Sequence, residues 1–115
     1  MNDERGFTIV EVLIAVLILS VGLLALVGSA AVTTRMISQG QRYSEASALA
    51  NERFEILRSQ TCASMTGGSA TQGRFTVTWS VVPDATGRSR IASVRVVSPT
   101  ASGTRADDFR TVILC

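Results

Sequence analysis

From Phe7 to Val32 the chain consists almost wholly of valine, leucine, isoleucine, alanine and glycine, and between Glu11 and Arg35 no ionisable side chain occurs. About 20 apolar residues rising 1.5 Å each cross a hydrocarbon core of roughly 30 Å, so residues 7–32 are long enough to span a bilayer as a helix. The apolar region of a secretory signal is shorter, at about 7 to 15 residues. The run therefore reads as a transmembrane helix behind a short polar leader, "MNDERG", residues 1–6. Gly22 and Gly28 are points where such a helix can bend or let a neighbour approach closely.

After Val32 the composition turns polar, and an apolar stripe appears at Met36, Tyr43, Ala46, Ala50, Phe54 and Leu57, with Leu49 and Ile56 on its flank. Steps of three, four and seven predict an amphipathic helix over residues 33–59. No proline precedes Pro83, so both segments read as one helix from about Thr8 to about Ser59, roughly 75 to 80 Å long by its rise per residue. The Gly/Ser/Thr-rich "SQTCASMTGGSATQG", residues 59–73, reads as the linker that ends it.

Three strands are expected in the remainder, residues 60–115. In "RFTVTWSVV" Phe75, Val77, Trp79 and Val81 alternate with Thr76, Thr78 and Ser80, the pattern of a half-buried strand. "PDATGR", residues 83–88, has turn chemistry, "IASVRVVS" is a second strand, and "FRTVILC" is a third after the loop "PTASGTRADD". A three-stranded meander has one apolar face to cover, and the Phe54/Leu57 stripe is available to cover it. The expected fold is α+β, a long amino-terminal helix packed on a small antiparallel sheet.

Composition narrows the chemistry. With 115 residues, the first third of them apolar, little room remains for a large enzyme core. Histidine is absent, and all 11 basic residues are arginine, so Ser-His and Cys-His activation and lysine schemes are unavailable. Cys62 and Cys115 are too few and too far apart for a zinc pattern. No catalytic, cofactor or metal site is expected. The net charge of +2 is spread out, and Arg88, Arg90 and Arg95, the nearest thing to a basic cluster, lack interleaved aromatics, so nucleic acid is not an expected partner. Tyr43 and Trp79, at helix and strand spacing, read as core.

Glu11 is the exception within the apolar run. Thr8-Ile9-Val10-Glu11 fits capping-box spacing, which accounts for a glutamate at any helix start. A carboxylate inside a membrane nevertheless costs on the order of 2.5 to 3.5 kcal/mol, so a cationic partner is expected. Cleavage after Gly6 would give Phe7 a free α-amine, with a reference pKa near about 7.7 to 8.0, one helical turn from Glu11. The carboxylate could then meet its own amine or that of a helix docked alongside.

"RGFTIVEVLIAVLILSVGLLAL" resembles the cleavage and methylation signal of type IV pilins and type II secretion pseudopilins: a polar leader ending in Gly6, then Phe7, then Glu11 at the fifth mature position, then an apolar span. The resemblance implies removal of residues 1–6 by the prepilin peptidase, N-methylation of Phe7, and a filament cored by these helices, with Glu11 binding the amine of an adjacent subunit. It also implies other pilin or pseudopilin subunits and an inner-membrane assembly platform as partners, and a single-pass bacterial inner-membrane precursor with a periplasmic head. The short head, "SVGLLAL" and "ALANERFEILRS" look more like a minor pilin or I-type minor pseudopilin than a major subunit. Where many major pilins have a proline in the span, this sequence has Gly28. Arg5 and the α-amine on one side and Arg35 and Arg42 on the other hardly discriminate orientation by charge, which rests instead on the resemblance and on the cysteines.

Outside the cytoplasm Cys62 and Cys115 could close a loop of about 50 residues, worth roughly 4 kcal/mol in the chain-entropy account. Cys115 shares strand parity with Phe109 and Ile113, the face expected to meet the helix end near Cys62. Two free thiols are the alternative. For the chain as a whole, the alternative to a filament subunit is an exported binding or sensing domain on a plain signal anchor, with "GSA", residues 28–30, as a conventional cleavage site.

Overall fold

The computed structural model describes residues 5–115, so the first four residues of the expected leader lie outside the described residues. One helix, α1 (Ile9–Arg58), is followed by four strands, β1 (Gly68–Gln72), β2 (Phe75–Pro83), β3 (Ser89–Thr100) and β4 (Gly103–Leu114). The chain divides into two compact units, Met1–Gln39 and Gly40–Cys115.

In the first unit α1 is apolar on every side from Val12 to Val32 apart from Ser20 and Ser29, and none of its residues is buried. Its few polar side chains return their hydroxyls to the helix's own carbonyls. Ser20 donates to Val16 O at 2.7 Å, Ser29 to Leu26 O at 2.8 Å, and Thr33 and Thr34 to Ser29 O and Ala30 O at 3.0 Å. Hydroxyls satisfied in this way can enter an apolar solvent without a stranded donor.

In the second unit α1 turns Ala46, Ala50, Phe54 and Leu57 onto one face of an antiparallel sheet of order β1-β2-β3-β4. Phe75, Val77, Ala92, Val94, Val96 and Ile113 complete the buried core, and Leu49, Met65, Trp79, Val81 and Phe109 pack at its margin. The register explains the selection, since Val77 faces Val96, Trp79 faces Val94, and Val94 faces Phe109, which places alternate residues of β2, β3 and β4 on the helix side. Two expected members of the stripe are not in this core. Met36 is exposed and belongs to the first unit, while Tyr43 is half exposed at the margin with its ring 5.8 Å from that of Phe109.

The sheet has four strands rather than three. β1 lies in the stretch expected to be linker, where it pairs with β2 from Gly68↔Trp79 to Gln72↔Phe75 through a two-residue turn that puts Gly73 at a φ of 60°. Its Gly68 is imposed by packing, because a Cβ there would lie 2.7 Å from Trp79 Cζ2. The indole crosses that opening and donates Nε1–H to Thr66 O at 3.0 Å, while the Arg53 guanidinium lies 3.8 Å from its ring centre. The expected loop "PTASGTRADD" is also largely strand, since β3 and β4 pair continuously out to Thr100↔Gly103. Pro99 is tolerated there because β3 has run past its last β2 partner, Thr76↔Val97, and has no further rung to make on that side.

Candidate functional site

The helix start is built as its sequence requires. Thr8 is the N-cap: its carbonyl accepts the Val12 N–H at 3.1 Å, and its Oγ1 accepts the Glu11 N–H at 3.2 Å. Glu11 therefore occupies the third helical position, where its carboxylate faces the positive end of the peptide dipoles. Among the described residues it has no ionic partner.

Arg5–Thr8 precede the helix in irregular, exposed chain, so the Gly6–Phe7 peptide bond is open to solvent. Phe7 and Glu11 line one shallow recess with Val12, Ala15, Val16 and Leu19. From Glu11 to Leu19 these positions form a continuous stripe along α1, with Phe7 just before its start, and the recess between them is apolar except for Glu11. The structure thus gathers Phe7 and Glu11 at one place on the helix surface, next to Gly6. The chemistry available there is limited to a carboxylate, a solvent-exposed Gly6–Phe7 peptide bond and an aliphatic surface.

The two cysteines lie elsewhere. Cys62, in the loop after α1, is joined to Cys115, just beyond β4, with their Cα atoms 5.8 Å apart. The Cys115 N–H donates to Arg88 O at 3.0 Å, and Arg90 Nε donates to Cys62 O at 3.4 Å, so both flanks of the bridge are held by the start of β3. This arrangement fastens the end of α1 to the sheet.

Arg88, Arg90 and Arg95 do not make one surface. Arg88 ends the β2–β3 turn, Arg90 points to the helix side, and Arg95 lies on the opposite face. There it pairs with Asp108 across the strands at 2.7 and 3.1 Å. The Asp84 carboxylate, in the same turn as Arg88, accepts the Thr86 hydroxyl at 2.8 Å and is held below its ordinary pKa chiefly by that bond. Sequence reasoning missed the lock of Gly68, Trp79 and Arg53. The only signal for it was a glycine pair preceding a strand that carries the single tryptophan.

Residues 1–27 match the prokaryotic N-terminal methylation motif, which spans Gly6, Phe7 and Glu11 and the apolar run as far as Val27. No curated protein and no solved structure matches the chain. α1 is long and apolar enough to cross a membrane, and with the motif this fits a protein anchored in the inner membrane. The chain carries, over residues 1–27, the prepilin-type signal of type IV pilins and pseudopilins.

Proposed function

We propose that this protein is a structural subunit of a type IV pilus or type II secretion pseudopilus. It is cleaved after Gly6 by the prepilin peptidase, methylated at Phe7 and drawn from the inner membrane into a filament by an assembly platform, with its head in the periplasm. The observation that carries this reading is the coincidence of the methylation motif with the first, apolar stretch of α1, residues 9–39, in which no side chain is buried. Such a surface needs lipid or other helices around it. Lipid tails give helices no hydrophobic reason to associate, so packing and polar contacts must select the docked arrangement. Glu11 meets that need: paired with the Phe7 amine of a neighbour it is neutralised, whereas a helix docked out of register leaves a buried charge unpaired. The role is assembly, not catalysis.

The mature amino terminus, read by mass spectrometry, tests the processing step. Loss of residues 1–6 together with one added methyl group is expected, and an intact leader or a start near Ala31 would refute it. Glu11→Ala should still be cleaved, yet enter filaments at least about tenfold less well, because the Phe7 amine of the neighbouring subunit is then left as an uncompensated buried charge. Normal incorporation of that variant would remove Glu11 from the assembly step. Placement as a minor subunit rests on the resemblance of "SVGLLAL" and "ALANERFEILRS", and requires trace stoichiometry in purified filaments.

A further inference from the structure

The sheet face turned away from α1 has two characters. Across its middle it is hydroxylated and charged, with Thr78, Ser80, Ser93 and the Arg95–Asp108 pair. At the end near the disulfide it becomes aliphatic. There Val82, Ile91 and Val112 stand in one cross-strand row, and Leu114 follows Val112 on the same side of β4. Val82, Val112 and Leu114 are 52%, 58% and 84% exposed. Among the described residues of the second unit, these three stand with Tyr43 and Ile56 as the exposed large apolar side chains, so the cluster is not a random sprinkling. Arg110, one step along β4, and Arg88, beside the β2–β3 turn, flank it, and neither makes an ion pair among the described residues.

The second unit also holds a groove of the opposite kind. Between α1 and the β1–β2 turn a recess of about 500 Å³ is floored by Ala48, Leu49 and Phe75 and rimmed by Glu45, Glu52 and Arg74. Arg74 is taken by Glu45 at 2.9 Å, which leaves Glu52 as the rim carboxylate with no ionic partner among the described residues. An aliphatic knob flanked by unpaired arginines and an apolar groove edged by an unpaired glutamate complement each other in both polarity and charge.

The two surfaces cannot meet within one chain. They lie on opposite sides of the sheet and toward opposite ends of it: the Val82↔Ile91 rung and the Thr76↔Val97 rung are six residues of β3 apart, roughly 20 Å of strand. A contact between them therefore joins different copies. Because each copy presents its knob to one neighbour and its groove to another, the contact is heterologous and propagates rather than closing into a pair.

We propose that the Val112/Leu114 end of the outer sheet face of one copy seats in the groove between α1 and the β1–β2 turn of the next copy, with Arg110 against Glu52. The contact deepens the filament reading above and rests on it for its biological setting; it requires runs of adjacent copies, so it stands against the trace stoichiometry of a minor subunit, and its geometry does not depend on cleavage after Gly6. So small a surface is weak in free solution. It becomes effective when copies are already held side by side by their membrane helices, which raises their effective concentration.

The experiment places a benzophenone side chain at Val112 of the full chain in its own membranes and maps the photoadducts by mass spectrometry. The expected product joins two copies through a peptide containing Glu45–Glu55 or Gly73–Phe75. Arg110→Glu should lower its yield by about fivefold or more, and Glu52→Arg added to Arg110→Glu should restore it to within about twofold of the parent. Each variant is run on a non-reducing gel beside the parent, and the double variant separates a lost contact from a lost fold. An adduct only to lipid, to a different protein or to another part of the chain overturns the proposal, as does a yield indifferent to Arg110→Glu or not recovered by the double variant. The mature amino terminus is read in the same samples. An uncleaved leader with the adduct intact defeats the pilin reading and leaves this contact standing, whereas a cleaved, methylated chain without the adduct does the reverse.

Discussion

Residues 9–39 and 40–58 belong to one helix, yet no side chain of the first stretch is buried, whereas Ala46, Ala50, Phe54 and Leu57 of the second are. Backbone geometry is common to both, so the contrast comes from side-chain pattern alone. The second stretch confines its apolar residues to one stripe and covers that stripe with its own sheet. The first is apolar all round, a pattern that water does not accept and that a bilayer or a bundle of like helices does. One half of the helix is completed by intramolecular packing and the other by whatever surrounds it. Perturbations should accordingly sort by half: changes after Gly40 read out as stability of the head, and changes before it as membrane retention and assembly.

The largest expected effect on stability is at the tie between the end of α1 and the sheet. Cys62 and Cys115 are 53 residues apart, and replacing both by serine should destabilise the second unit by about 4 kcal/mol in the chain-entropy account. The urea midpoint of the head would report the loss, while retention of the chain in carbonate-washed membranes should not change. A midpoint that stays put would mean that packing, not the bridge, fixes the helix end.

Next in size is a matched pair of truncations. Leu57 is 2% exposed, and Leu57→Ala should cost about 3 kcal/mol of head stability. Leu17 is 65% exposed, and Leu17→Ala should leave that stability unchanged to within about 0.5 kcal/mol. Equal losses from the two would erase the division between the halves.

The same contrast explains what the sequence made visible. α1 was legible because no proline interrupts it and because its two patterns, uniform and then striped, both demand helix. The motif containing Gly6, Phe7 and Glu11 was legible because it is local: a short polar start, a Gly–Phe junction and an acid one turn on need no tertiary information. β1 was not, since "GGSATQ" lacks the β-branched alternation that marks strands. It becomes one only because β2 offers an edge and the Trp79 indole fills the space that Gly68 vacates. The first half of β4 was concealed by Arg105, Asp107 and Asp108, charges that suggest a loop but also suit an edge strand that must resist further pairing. The stripe overreached at Met36 and Tyr43 because helix periodicity continues farther than the sheet beneath it. The aliphatic end of the outer face is visible as Val82, Val112 and Leu114, out of phase with the core residues. That phase carries meaning only once the sheet's covered side is known.

The smallest effect distinguishes charge from packing within the second unit. Arg95 Nε and Nη2 donate to Asp108 at 2.7 and 3.1 Å on the solvent face, and this hydrogen bonding, more than the attraction of the charges, holds the Asp108 carboxyl below its ordinary pKa. A group whose pKa is depressed by folding contributes stability that is fully present above its unfolded value, about pH 4, and is lost as the pH falls through the folded value. Head stability should therefore decline on acidification below about pH 4, and Asp108→Asn should flatten that decline while shifting the neutral-pH urea midpoint little, since the pair is exposed. The decline should not vanish, because Asp84 is depressed in the same direction by the Thr86 hydroxyl and keeps its share in the variant. Urea midpoints measured at pH 7 and pH 3 for both proteins decide the matter. An unchanged difference between the two pH values would leave the Arg95 pair no part in the acid limb and assign it to the other carboxylates of the head, the Asp84 turn among them.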